Sequence, residues 1–404
     1  MNESSPSALG TPRLQLSLIA AVQVLGLATW FSASAVVPSL QAEWRISLTA
    51  AVWLTVSTQL GFVVGAVASA ALNLADRMPA HALLALSATG AAGFTLAFAW
   101  LADGLALAVP LRFATGVFLA GVYPVGMKLM ASWAPRESRG RSLGVLIGAL
   151  TLGSALPHII GTIDWNWRLL MTAAASTTVI AALLSATLVR SGPYLTKAAF
   201  IPDPAYVVKM FRERRPRLIN FGYLGHMWEL YALWTWLPLF GAIAVRESNL
   251  GGRTTSIATF LAIGVAGVAG CLIGGWAADR LGRSRTATAA LAVSGTCCLL
   301  SPLAFVAGPA VLFVFAMVWG ASVIADSGVF STMLSEVVDG PHAGTALTAQ
   351  TASGFLLTTV SIQIVPVLAS LVTWQFALVV LAAGPIAGVA ALSRYKTAGA
   401  PGTA

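Results

Sequence analysis

Residues 275–285 read Gly-Trp-Ala-Ala-Asp-Arg-Leu-Gly-Arg-Ser-Arg, a short basic turn between two apolar runs at roughly 254–277 and 286–306. Each run reaches the length of about 20 apolar residues that crosses a bilayer. The turn between them cannot: Asp279, Arg280, Arg283 and Arg285 are too costly in hydrocarbon and must sit at a membrane surface. A shorter echo, Leu74-Ala75-Asp76-Arg77, also lies between apolar runs, and 279 − 76 = 203 residues is half of a 404-residue chain. That spacing points to a duplicated architecture.

Composition agrees. With 57% hydrophobic and 9% charged residues, against about 25% charged in a soluble domain, most of the chain has no aqueous surface to present. The net charge of +9 does not indicate nucleic acid, because the basic residues alternate with apolar runs and form no continuous face. Cys271, Cys297 and Cys298 all fall inside apolar runs, where neither a disulfide framework nor a metal site is read. No cofactor is expected. Arg13, an apolar run and Ala33-Ser34-Ala35 imitate a cleavable leader, but cleavage would leave an odd number of spans, so retention is expected.

Runs of about 20 residues with few charges give an all-α integral membrane protein of twelve transmembrane helices. They lie near 14–38, 48–72, 80–101, 105–131, 142–162, 167–189, 217–243, 253–277, 286–306, 309–335, 343–371 and 373–393. The connections at one face hold seventeen Lys and Arg, and those at the other hold Arg45, Arg168, Arg246 and Arg253. By the positive-inside rule both termini are expected in the cytoplasm. The connection Glu336–His342, with two acids and no Lys or Arg, is a local exception. We expect six helices in 1–190, a cytoplasmic linker over 191–216, and six more in 217–404. The linker predicts a short amphipathic helix, with Val207, Val208 and Phe211 on the membrane surface and Arg212, Arg214 and Arg215 at lipid phosphates. Lipid is thus an expected partner.

The turn at 275–285 resembles the G-x-x-x-D-R-x-G-R-x-R signature of the major facilitator superfamily, found between helices 2 and 3 of each six-helix half. The resemblance covers the whole chain, and its intact copy is the C-terminal one. In the N-terminal copy Leu72 stands at the first Gly, Pro79 at the second, and His81 is the only basic residue after it. The resemblance implies that Asp76, Arg77, Gly275, Asp279, Arg280, Gly282 and Arg283 hold one state of a transport cycle, more weakly in the first copy. It also implies a monomer of the bacterial inner membrane, with a site between the halves near the midplane. The stretches G-V-Y-P-V-G-M-K, G-H-M-W-E-L-Y-A-L-W-T-W and A-D-S-G-V-F-S are similar to the branch loosely grouped with nitrate/nitrite and cyanate permeases. The nitrate signature itself is absent, which leaves a small-anion or polar-metabolite carrier.

Charged groups deep in a span cost about 2.5–3.5 kcal/mol each on insertion scales and therefore mark function. Glu229, Asp326 and Arg112 are such groups. Lys128, near the end of span 4, can snorkel instead. Arg112 sits in an R-x-x-x-G pattern similar to the superfamily's helix 4 and shares a stripe with Gly116 and Tyr123. Its guanidinium suits an anionic substrate; the plainer reading is a fixed partner for a buried acid, yet spans 1–6 offer none. His226 and Glu229, three residues apart, read as a proton relay or as a closed helix contact. Asp326 could take a proton, bind a cation, or neutralise Arg112. Trp30, His158, Trp236 and Gln350 complete the candidate substrate contacts.

No H-E-x-x-H, G-x-S-x-G or G-K-[ST] sequence is present, so no enzyme class is indicated. Protons and a small molecule are the expected partners of a proton-coupled carrier. Two readings stay open beside uptake: proton-driven export of amphipathic compounds, with Glu229 or Asp326 taking a cation, and a receptor that keeps the transporter fold.

Overall fold

The computed structural model describes residues 11–135, 139–163, 165–195, 204–246, 248, 250–339 and 342–397, and the structural statements below concern these. Among the described residues there are helices and turns and no strand. A segment crossing hydrocarbon must satisfy its own peptide groups, and a helix does so. Ten helices are long and apolar enough to cross a membrane, from Leu48–Ala71 to Trp374–Tyr395, and they coincide with spans 2–6 and 8–12. The two remaining spans escape that measure for physical reasons. Span 1 is broken into Pro12–Gly26 and Ser32–Trp44. Span 7, Arg214–Ala244, has 31 residues, about 46 Å of helix at 1.5 Å per residue, but Asn220, His226 and Glu229 dilute its apolar run.

Spans 4 and 10 break as well, the first between Leu119 and Tyr123 and the second between Ile324 and Ser327. Around these breaks glycines let backbones touch. A Cβ on Gly116 would lie 2.0 Å from the Thr58 carbonyl oxygen of span 2, and a Cβ on Gly320 would lie 2.0 Å from that of Ala262 in span 8. These two contacts are equivalent, since 320 − 116 and 262 − 58 are both 204. One step deeper, Gly65 meets Val117 and Gly270 meets Ala321; 321 − 117 is again 204, but 270 − 65 is 205. One extra residue therefore enters span 8 between Ala262 and Gly270. Phe260–Ala266 is a π-helix, whose wider turn is how a helix absorbs a single inserted residue.

Spans 2 and 11 pack together, as do spans 5 and 8, so these two seams join the N-terminal helices to the C-terminal ones. In the second seam Thr151 Oγ1 lies 3.9 Å from Cys271 Sγ.

The linker helix, Pro204–Arg212, docks on the protein through a face that the sequence reading did not name. Tyr206 and Met210, one turn apart, are buried, and the Tyr206 ring stacks on His342 at 4.2 Å. Val208 is exposed and Phe211 is half-buried against the core. Arg214 and Arg215 belong to the first turn of span 7, where Arg215 donates to the Tyr395 hydroxyl at 3.3 Å. The helix docks because a protein groove between spans 7 and 11 is available to its aromatic stripe.

A candidate substrate pathway and its buried charges

Two cavities open from opposite faces of the seam between the N- and C-terminal helices. The one at the basic face, about 480 Å³, lies among spans 2, 4 and 11 and is lined by Tyr123, Lys128, Asn73, Thr348 and Thr351. The one at the opposite face, about 250 Å³, lies among spans 1, 2, 5, 7 and 8 and is lined by Ser34, Gln41, Thr55, His158, Thr235 and Trp236. Candidates Tyr123, His158 and Trp236 are thus all wall residues, but of different chambers. The Trp236 indole also donates to the Ile362 carbonyl at 2.9 Å, which ties it to span 11.

Between the chambers stands a septum of six buried rings. Trp30 and Phe31 come from span 1, Phe62 from span 2, Tyr231 and Trp234 from span 7, and Phe355 from span 11. They meet across the seam: Phe62–Phe355 at 4.3 Å between centroids, Trp30–Phe355 at 5.5 Å, Trp30–Tyr231 and Phe31–Tyr231 at 5.9 Å, and Phe31–Trp234 at 5.8 Å. Aromatic pairs at these separations add about 0.5–1.5 kcal/mol each beyond area burial. Yet the indole N–H groups of Trp30 and Trp234, and both ends of the Gln59 amide, have no hydrogen-bond partner among the described residues. A buried unpaired donor costs about 1–3 kcal/mol. The septum is therefore well packed through its ring faces and unsatisfied at its polar edges.

Arg112 is fully buried beside this septum. Its Nη2 donates to the carbonyls of Thr29 and Trp30, at 3.1 and 2.8 Å. These carbonyls lack a helical N–H partner because span 1 is broken there, Thr29 taking only the Ser32 hydroxyl at 2.9 Å besides, and such a carbonyl inside a span needs a donor. Carbonyls, not an acid, are the partners that Arg112 finds, and no pairing with Asp326 is formed. Nε and Nη1 have no partner among the described residues.

The buried ionisable groups of span 7 have different partners from those the spacing suggests. His226 and Glu229 do not pair with each other. His226 Nδ1 stands 2.8 Å from Asp326 Oδ1, at ion-pair distance but outside hydrogen-bond geometry, and neither Asp326 oxygen has another partner among the described residues. Glu229 is held by Trp319 Nε1 at 2.6 Å, Ser294 Oγ at 2.8 Å and Cys298 Sγ at 3.3 Å. Spans 9 and 10 thus supply the Glu229 shell and the break in span 10 supplies Asp326. Gln350 is part of the frame: its Nε2 donates to Asn220 Oδ1 at 3.0 Å.

The two loop motifs end in different local structures. Gly282 has φ of +90°, a left-handed value that side chains avoid, which explains glycine in the intact copy. In the other copy Pro79 is extended and Asn73 takes the positive φ of 52°. Asp76 pairs with Lys128 at 2.5 Å, whereas Arg283 pairs with Glu336. Asp279 faces Gly140 at the start of span 5, where a carboxylate complements the helix dipole. Arg280 covers the Trp276 ring at 4.9 Å, Arg77 is exposed, and Gly275 lies against open space.

A bundle of apolar helices with two opposed chambers, a central septum and a few buried charges has the architecture of a membrane transporter. The sequence model of the Major Facilitator Superfamily matches residues 19–362, and the chain belongs to that family. It is 23% identical over 350 residues to the Niacin transporter NiaP of Acinetobacter baylyi, covering 74% of each chain. It is 25% identical over 303 residues to the Gallate transporter of Pseudomonas putida, covering 65% of this chain and 64% of that one. In fold it is similar to the proton:xylose symporter XylE bound to 6-bromo-6-deoxy-D-glucose, with a TM-score of 0.71, 14% identity, and coverage of 95% and 96%.

Proposed function

We propose that this transporter carries a small aromatic acid across the bacterial inner membrane together with protons. The observation that carries the reading is the six-ring septum between the two chambers. Parting the seam would leave flat faces for a planar ring on both sides, with the unpaired Trp30, Trp234 and Gln59 groups ready to bond its substituents. The partnerless Nε–H and Nη1–H groups of Arg112 leave two separate charged donors, either of which can take a carboxylate oxygen. The two relatives are named for niacin and gallate, both aromatic carboxylic acids, which supports the same class.

In this reading residues 1–190 and 217–404 rock about the linker 191–216, and the basic face is cytoplasmic. Tyr123 lines the inner chamber, His158 and Trp236 line the outer one, Trp30 stacks on the ring, and Gln350 steadies Asn220. Glu229, Asp326 and His226 carry protons: all three are buried, and His226 and Asp326 stand within exchange distance of one another. The Asp76, Arg77, Gly275, Asp279, Arg280, Gly282 and Arg283 loops hold the closed cytoplasmic state.

The test is uptake of labelled nicotinate, benzoate and gallate into proteoliposomes with an imposed pH gradient. Accumulation driven by a proton gradient, competed by aromatic acids and not by amphipathic cations, is the expected result. Proton-driven movement of the cations instead would establish the exporter, and binding without flux would establish a receptor.

A further inference from the structure

A further region of open space lies away from the pathway, on the outer surface between spans 7 and 12. It is a groove of about 830 Å³, and apart from Arg214, Arg217 and Arg394 every side chain lining it is apolar. The arginines stand at its basic-face end. Trp228 closes its deep end, with its indole N–H donated to the Val380 carbonyl at 3.1 Å. From Arg214 to Trp228 the helix rises about 21 Å, more than half of a hydrocarbon core roughly 30 Å thick.

We propose that this groove holds one anionic phospholipid of the leaflet at the basic face, its phosphate among the three guanidinium groups and one acyl chain along the wall to Trp228. Charge complementarity selects this occupant. Three permanent cations ring one end of an otherwise apolar trough, and no acidic side chain lines it. Glu213, the nearest acid in sequence, is paired with Lys209 at 3.6 Å. Arg215, on the same turn, is turned away to the Tyr395 ring at 5.4 Å, so the rim is a selection of arginines and not merely a basic segment. A free phosphate would use the rim alone and leave the apolar trough without a purpose. A second copy docked about a twofold axis would set one arginine rim against another.

The experiment is native mass spectrometry of the full chain in mixed micelles containing equal dioleoyl phosphatidylglycerol and dioleoyl phosphatidylcholine. The wild type should retain the anionic lipid with a preference of at least about tenfold, since each basic residue at a membrane surface strengthens anionic-lipid binding roughly fivefold. The preference should vanish in the triple variant Arg214→Gln, Arg217→Gln, Arg394→Gln. It should also fall in Ala387→Leu, which keeps the arginines and fills the trough. The control Arg212→Gln with Arg246→Gln should retain it. A preference that persists in the triple variant or in Ala387→Leu overturns the proposal. So does inorganic phosphate displacing the lipid as effectively as excess phosphatidylglycerol, which would reduce the rim to a free-anion site.

Discussion

Nη2 of Arg112 lies 2.8 Å from the carbonyl oxygen of Trp30, so a charge in span 4 closes the break in span 1 and fixes where the septum begins. Hydrogen bonds to a charged group contribute about 1.5–3 kcal/mol each. Arg112→Ala should therefore lower the melting temperature in detergent and abolish uptake. Arg112→Lys keeps the charge but not the planar fork. It should recover part of the thermal stability while leaving uptake at least about tenfold reduced, a rise of roughly 1.4 kcal/mol in the transport barrier.

Glu229→Gln keeps the shape of the carboxylate and can still meet Trp319 and Ser294. We expect a folded protein that exchanges substrate between two pools but no longer accumulates it against a gradient. Full accumulation in both Glu229→Gln and Asp326→Asn would remove these residues from the coupling scheme. Counterflow and pH-jump uptake in the same vesicles separate the two activities.

The septum makes a separate claim. Phe355→Ala removes a ring that touches Phe62, Trp30 and Tyr231, and a buried Phe→Ala change costs about 3–5 kcal/mol. Phe355→Leu is milder and should remain folded. It should raise the half-saturating concentration for an aromatic acid, while passive leakage of a small polar solute such as glycerol increases. Unchanged affinity with unchanged leakage would show that the rings only pack.

Backbone contact at the glycines predicts a contrast within one residue type. Gly116→Ala and Gly320→Ala each drive a methyl group to 2.0 Å from a backbone oxygen, and such overpacking costs about 1–3 kcal/mol or more. Gly275→Ala, inside the helix Gly267–Leu281, meets no atom within 4 Å and should not destabilise, with a gain of up to about 1 kcal/mol from helix propensity. Melting curves of the three variants decide it.

At the face opposite the linker, Glu43 accepts from Trp167 Nε1 at 2.6 Å and pairs with Arg168 at 2.8 Å. The Trp167 bond, with Arg168 behind it, holds this carboxyl below its ordinary value of 4.5, against a smaller opposing effect of burial. A depressed folded value means that the unfolded chain binds the proton more readily, so stability rises with pH in this window. The contribution is present above about 4.5 and is lost as pH falls through the folded value. The carboxyl is largely in solvent, so its worth is at most about 1 kcal/mol. Glu43→Gln should lower the melting temperature slightly at pH 7, and the difference from wild type should vanish on acidification.

Helices and the deep charges were legible because each leaves a mark in one dimension. A run of 20 apolar residues is visible by itself, and so is Asp326 or Arg112 inside one. Partners were not legible, because they arrive from other spans. Nothing along span 7 announces that Trp319, Ser294 and Cys298 surround Glu229, and the spacing of His226 and Glu229 suggested a contact that Asp326 takes instead. Phe62 and Phe355 look like any apolar residues, since only the seam between spans 2 and 11 makes them a septum. The linker helix was read as membrane-bound because its stripe is amphipathic. A lipid surface and a protein groove pull on such a stripe in the same way.

The π-helix in span 8 has a consequence for how the two ends of the pathway compare. The wide turn absorbs the inserted residue, so Gly270 still meets Ala321 as Gly65 meets Val117, and the departure from the duplicate is confined to the bulge between Ala262 and Gly270. A perfect duplicate would have two equal seams and no preference between opening inward and opening outward. The seam between spans 5 and 8 carries that bulge, and the seam between spans 2 and 11 has no counterpart of it among the described residues. Any difference the bulge makes to the energy of parting the two seams would bias the resting orientation of the carrier before any solute or proton gradient acts on it.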